Sequence, residues 1–172
     1  MSNMTAQQLK ELNWKKMSEA DHQLAVMAWA EAAMHNMPLL DLLYHIPNQS
    51  GLPSRIAGRV GAMFKRMGLK SGMPDLHLPV SRVVRLDGVQ VRLHSIYVEM
   101  KKPGGSISRA QKARALKLQR QGNAVVFAYN HEQAEQVLTD YLNDALEIPV
   151  TEGLEEARTI CTASDTAAHE RG

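Results

Sequence analysis

Residues 72–105 read GMPDLHLPVSRVVRLDGVQVRLHSIYVEMKKPGG, and here the hydrophobic period of the chain changes from that of helices to that of strands. Leu76, Leu78 and Val80 alternate as the inward positions of a half-buried strand do. Arg82 to Leu86, the pair Asp87-Gly88, and Val89 to Met100 read as a β-hairpin closed by a two-residue turn. Lys102-Pro103-Gly104-Gly105 stops the last strand. Within it Glu99 and Lys101 are two apart, so both leave one face, while Val98 and Met100 point the other way into the core. Asp75 opens the first strand directly after Gly72-Met73-Pro74, and antiparallel pairing of the two strands places it beside Glu99.

On the N-terminal side, Ser18 is suited to cap a helix that carries Leu24, Val26, Met27, Trp29, Ala30, Ala33 and Met34. That helix is apolar on most sides, which predicts burial of more than one face. Pro38 suits the first turn of a short helix through Leu43. Residues 46–51 read as a loop, and Ser54 opens a basic helix that ends at Gly68. On the C-terminal side, Ser108 with Gln111 has the spacing of a capping box, and Gly122 closes the helix it starts. Ala124 to Tyr129 reads as a buried strand. Asn130 with Gln133 repeats the capping pattern and begins a last helix through Leu142. The order is helices, a hairpin-rich sheet, then helix, strand, helix, which defines a mixed α/β domain. The crossover helix makes the strands ending near Met100 and beginning at Ala124 a parallel pair. This divides the chain into an N-terminal extension (1–17), a folded domain (18–147) and a polar acidic tail (148–172).

The 172 residues are 44% hydrophobic and 22% charged, a composition that supports a real core and excludes wholesale disorder. A single cysteine, Cys161, excludes a disulfide framework and a multi-cysteine zinc site. No apolar run approaches the ~20 residues of a membrane span, and residues 1–16 lack the apolar centre of a signal peptide. The formal charge of +2 conceals a separation: residues 1–131 hold 18 of the 20 basic residues but 8 of the 18 acidic ones. Arg55, Arg59, Lys65, Arg66 and Lys70 form one stretch without an acid. Lys101, Lys102, Arg109, Lys112, Arg114, Lys117 and Arg120 form a second. Either alone reads as a solvated helix face, but two such stretches flanking the same acidic residues point to a polyanion.

Two carboxylates held side by side repel each other unless a cation lies between them, and oxygen donors with retained water suit Mg²⁺ or Mn²⁺. A lysine on the same face can orient a water and stabilise charge developing on a phosphate. Alone, Glu-x-Lys is an ordinary surface ion pair and Pro-Asp an ordinary turn. The distinguishing feature is their sequence along the chain, with a capped basic helix directly after them. The seven histidines show no metal-ligand spacing, and His22 reads as structural.

With those residues in view, the sequence resembles the VRR-NUC domain, a branch of the PD-(D/E)XK nuclease superfamily. The matching segments are Ser18-Glu19 opening the helix with Trp29, Ile46-Pro47-Asn48, Gly72 to Leu76, Val98 to Gly105, Ser108 to Lys112, and Gln121-Gly122 with the Val125-Val126 strand. They cover roughly residues 18–142. The resemblance implies a restriction-endonuclease-like α/β core with a mixed central sheet flanked by helices. It implies Asp75 and Glu99 as ligands of Mg²⁺ or Mn²⁺, the Met100 carbonyl as a further donor, and Lys101 beside the attacking water. It also implies a carboxylate from the first helix. Glu19 and Glu31 both qualify by type, but twelve residues separate them by about 18 Å along a helix, and Glu19 follows the cap as the family pattern has it. Gln111 matches a family glutamine near the active site. Lys102, Arg109, Lys112, Lys117 and Arg120, with Arg55 and Arg59, are then candidates for contacts to the DNA backbone. The short form looks like the stand-alone phage and bacterial members, which implies a homodimer acting on branched DNA, four-way junctions above all, in the cytoplasm of a bacterium or phage-infected cell.

Overall fold

A computed structural model describes residues 13–47 and 54–149, with the side chains of 54–59 outside the description. The elements, in chain order, are α1 (Glu19–Ala33), a 3-10 turn (Pro38–Leu42), β1 (Tyr44–His45), α2 (Ser54–Arg66), β2 (Leu76–Leu78), β3 (Arg82–Leu86) and β4 (Val89–Leu93). They continue with β5 (Ser95–Met100), α3 (Arg109–Gln119), β6 (Asn123–Ala128), α4 (His131–Leu142) and β7 (Glu147–Ile148). The strands form a four-stranded sheet, β1-β2-β5-β6, and a three-stranded one, β4-β3-β7. Both are mixed. In the first, β2 runs antiparallel and β6 parallel to β5, the parallel pair being the one the crossover helix requires. The fold is the α/β class expected.

Asp87 and Gly88 take positive φ values of 46° and 77°. Two successive left-handed residues make a primed turn, whose twist matches that of the flanking strands. Leu86 therefore faces Val89 directly. The hairpin ends earlier than the sequence suggested. Val89 to Met100 is not one strand: β4 stops at Leu93, the His94 N–H donates to the Gly122 carbonyl at 2.8 Å, and β5 starts in the other sheet. The cause lies in the inward positions. Val91 and Leu93 are buried, then Ile96, Val98 and Met100. That slip from odd to even places the two halves on different sheets, because alternation cannot change phase within one flat strand.

Leu76, Leu78, Ile96, Val98 and Met100 are all fully buried, and Val26, Ala30, Leu138 and Tyr141 belong to the same core. Each large apolar side chain removed from water this way contributes roughly 1.5–3 kcal/mol before the opposing conformational entropy is counted. The buried residues of α1 are His22, Val26 and Ala30, a single face where burial of more than one was expected, and Leu24 is 68% exposed. The tail boundary shifts slightly too, since Ile148 pairs with Leu86 as part of β7. Residues 150–172, the remainder of the expected tail with Cys161, lie outside the described residues, as do residues 1–12 and Asn48.

His22 is fully buried where the first turns of α1 and α4 meet. Its Nε2 faces the Trp14 carbonyl at 3.3 Å and its Nδ1 faces His131 Nδ1 at 3.0 Å. A carbonyl only accepts, so Nε2 carries the proton and Nδ1 accepts from His131. The arrangement requires a neutral His22. Burial holds its pKa below the ordinary 6.5, and the nearby His131 acts in the same direction against the raising effect of the Trp14 carbonyl. The unfolded chain thus takes up this proton first. The His22 contribution to stability is level above about pH 6.5 and falls as the pH drops below it, until folded His22 itself titrates, whereas Glu99, with its raised pKa, contributes in the opposite direction over the same range. The difference in urea stability between the wild-type protein and His22→Phe should show that loss between pH 8 and pH 5, the contribution of Glu99 being common to both.

Candidate active site

The register of β2 against β5 pairs Leu76 with Val98. Continued by one residue, it sets Asp75 opposite Glu99. Three contacts fix Asp75. Its Oδ2 accepts the Met100 N–H at 2.8 Å, and its backbone carbonyl receives the Ile46 N–H at 2.8 Å and faces His45 Nδ1 at 3.1 Å. The turn before it is tucked under α3. Gly72 has φ 73°, and a Cβ built there would lie 2.6 Å from the Ala110 carbonyl oxygen. Only glycine permits that approach.

Glu99 and Lys101 are not a solvated ion pair. They are 3% and 5% exposed, and Lys101 Nζ lies 2.9 Å from Glu99 Oε1. Glu99 Oε1 also accepts from Gln111 Nε2. The other end of the same amide closes the capping box: Gln111 Oε1 accepts the Ser108 N–H at 2.9 Å, and the Gln111 N–H donates to Ser108 Oγ at 3.2 Å. One side chain thus starts α3 and ties it to the carboxylate. Glu19 reaches the same place from the first residue of α1. Its Oε1 is 3.9 Å from Lys101 Nζ and accepts a long hydrogen bond of 3.4 Å from the Lys102 N–H. The Ser18–Asp21 capping box sets the start of that helix. Glu19, Asp75, Glu99 and Gln111 line one cleft of about 230 Å³, floored by Ser71, Gly72 and Met73. Glu31 lines a separate depression with Leu24, Met27 and Asp41.

Burial and then the charge of Asp75 raise the Glu99 pKa to about 7, against the lowering effect of Lys101. For Lys101, burial favours the neutral amine, but the hydrogen bond and charge of Glu99, with Glu19 and Asp75, outweigh it and hold the ammonium above its ordinary pKa. The lysine is therefore a cation at neutral pH, one N–H on Glu99 and the others left for Glu19, water or phosphate. The carboxylates outnumber this one cation, and a second cation would offset the excess. Among the described residues no three His, Cys, Asp or Glu side chains already enclose a point as a finished cage. Two carboxylates with room for water and a phosphate oxygen match the donor set of Mg²⁺, which keeps much of its hydration.

Of the proposed DNA contacts, Lys102, Arg109, Lys112 and Lys117 are exposed, while Arg120 is partly buried. Arg109, Lys112, Lys117 and Arg120, four of the five basic residues between 109 and 120, span an arc of roughly 140° at 100° per residue, centred away from buried Ala115. Arg55 and Arg59 lie in α2, but their side chains are outside the described residues. The sequence reading missed a neighbour on the site's own sheet face. His77 and Tyr97, two pairs along from Asp75 and Glu99 and so on the same face, stack at 4.0 Å and 7°, and Tyr44 Oη lies 2.7 Å from His77 Nδ1. Their spacing of two from the acidic pair was the available signal.

An α/β domain that gathers acids from a helix start and two adjacent strands around a buried lysine is the framework of a hydrolytic site. The VRR-NUC domain model matches residues 4–132, and the chain belongs to that family, which is one of nucleases. A solved structure described as a VRR_NUC domain protein superimposes with a TM-score of 0.57 at 26% identity, covering 77% of this chain and 93% of the other. No curated protein matches.

Proposed function

We propose that this chain is a Mg²⁺- or Mn²⁺-dependent DNA endonuclease of the PD-(D/E)XK type that acts on branched DNA as a homodimer. The observation that carries the chemistry is Asp75 set against Glu99 on paired strands, with Lys101 and Gln111 both on the Glu99 carboxylate. Asp75, Glu99, the Met100 carbonyl and Glu19 would hold the ion. Bound there, it supplies positive charge that polarises the phosphodiester. The chain's own residues do the rest. Gln111 fixes the Glu99 carboxylate, and the Met100 N–H fixes Asp75. The Lys101 ammonium orients a water towards phosphorus and offsets charge on the non-bridging oxygens as the water's oxygen, giving up a proton to solvent, bonds to phosphorus and the bridging oxygen opposite departs and takes a proton up from solvent.

Branched substrates and a dimer are what the resemblance to the stand-alone members implies, and symmetry supports the pairing of the two: matched cuts across a two-fold junction need two sites related by a two-fold axis. A panel of labelled four-way junction, flap, single-stranded and duplex DNA tests this reading, with the oligomeric state measured by sedimentation. Paired, symmetric nicks in the junction by a dimeric protein are expected. Preferential cutting of flaps, single strands or duplex would retain the chemistry and replace the substrate. Tight binding to all four without cleavage would make the chain a non-catalytic binding module.

A further inference from the structure

The carboxylate cleft is the middle of three adjoining depressions. On one side Ser71, Gly72 and Met73 continue into a cleft of about 320 Å³ lined by Lys65, Lys70, Leu69 and Pro47. On the other side Glu19 is shared with a broad shelf carrying Lys15, Lys16 and Lys102. Lys15, Lys16, Lys65, Lys70 and Lys102 are all exposed. The groove therefore reads cation, acid, cation along its length.

That order solves a problem the site poses for its substrate. A phosphodiester brought to Asp75 and Glu99 meets like charge, and its two neighbours add one negative charge each. Cations in the flanking clefts attract those neighbours and bring the middle phosphate in against the acids. The basic face of α3 lies outside this groove: Arg109, Lys112, Lys117 and Arg120 line none of the three depressions.

Resting on the nuclease reading above, we propose that the cleaved strand lies in this groove. The phosphates on one side of the scissile bond sit against Lys65 and Lys70, and those on the other against Lys15, Lys16 and Lys102. Neither Lys15 nor Lys16 has the helical spacing or basic run that marks a nucleic-acid patch in sequence, and the groove is what brings them to the site.

The test uses the full chain as Glu99→Gln, which binds without cutting, and a labelled DNA that the wild-type protein cleaves at a mapped bond. Lys65→Ala with Lys70→Ala, and separately Lys15→Ala with Lys16→Ala, should each weaken binding about tenfold. Each should also flatten the dependence of log K on log salt by roughly 0.7–0.9 for every phosphate that is no longer neutralised. A neutral methylphosphonate next to the cleaved bond on one side should weaken binding to the parent protein but cost nothing further in one lysine pair. The same linkage on the opposite side should behave so with the other pair, which also gives the strand's direction. Unchanged salt slopes, or losses that add fully in every combination, would overturn the groove assignment while leaving wild-type cleavage intact. Failure of the nuclease reading shows differently: the wild-type protein cuts nothing, whatever the lysine variants do to binding.

Discussion

Glu99→Ala should abolish DNA cleavage, by at least about a thousandfold, while leaving a folded protein that still binds DNA. A thousandfold corresponds to about 4 kcal/mol of lost transition-state stabilisation. Several interactions meet on this one carboxylate. Lys101 and Gln111 both bond Glu99 Oε1, and Asp75 faces it across the strand pair. Truncation removes a candidate ion ligand and frees the lysine from its position. Some stability is lost with the 2.9 Å partner of Lys101, but the Asp75–Glu99 repulsion disappears and Glu19 remains 3.9 Å from the lysine, so the expected loss is smaller than for Lys101→Ala. Lys101→Ala is harsher on stability. It leaves Glu99 buried without its cation, a class of change that costs about 3–5 kcal/mol. Asp75→Ala strands the buried Met100 N–H as well, so Asp75→Asn, which keeps an acceptor, is the cleaner test of that ligand. Single-turnover cleavage, circular dichroism and DNA binding on the same samples separate these effects.

Gly72→Ala is the second large effect, and it acts through geometry. The added Cβ meets the Ala110 carbonyl oxygen at 2.6 Å and sits on a backbone with φ 73°. Both the strand start and α3 must move apart to accept it, which separates Asp75 from Gln111. A loss of at least about 2 kcal/mol in stability is expected from the strained backbone and the overlap together. Cleavage should fall further than stability alone accounts for, when compared at a temperature where the variant is folded. Gly68→Ala is the control. It has φ 100° but nothing within 4 Å of the new Cβ. Its cost should be about 1 kcal/mol of backbone strain, without effect on the rate.

The elements most legible in the sequence were those in which local chemistry and tertiary packing agree. Ser18, Ser108 and Asn130 all cap the helices they were expected to cap. Asp87-Gly88 makes its turn, and β5 and β6 pair in parallel. The pairing of Asp75 with Glu99 could be read because strand periodicity fixes which side chains share a face. The separation into two sheets could also have been read, from the change of buried phase between Leu93 and Ile96, but a two-residue hairpin turn favours extending both strands without a break. Short β1 and β7 carry too few residues for periodicity to register. The groove was legible only in part: Lys65, Lys70 and Lys102 belong to the two basic stretches that pointed to a polyanion, whereas Lys15 and Lys16 do not. Lys15 and Lys16 precede α1, Lys65 and Lys70 flank the end of α2, and Lys102 follows β5. Only the packing of those ends around Gly72 and Glu19 makes them neighbours.

In the function we propose, these carboxylates hold a divalent cation that drives phosphodiester hydrolysis. The most direct measurement is single-turnover cleavage of labelled four-way junction DNA across a titration of Mn²⁺, beginning from EDTA-treated protein. Wild-type protein should be inactive without the ion and saturate as it is added, and the Glu99→Gln protein should remain inactive at every concentration. Cleavage that survives EDTA, or that persists in Glu99→Gln at the wild-type rate, would contradict the assignment of the site.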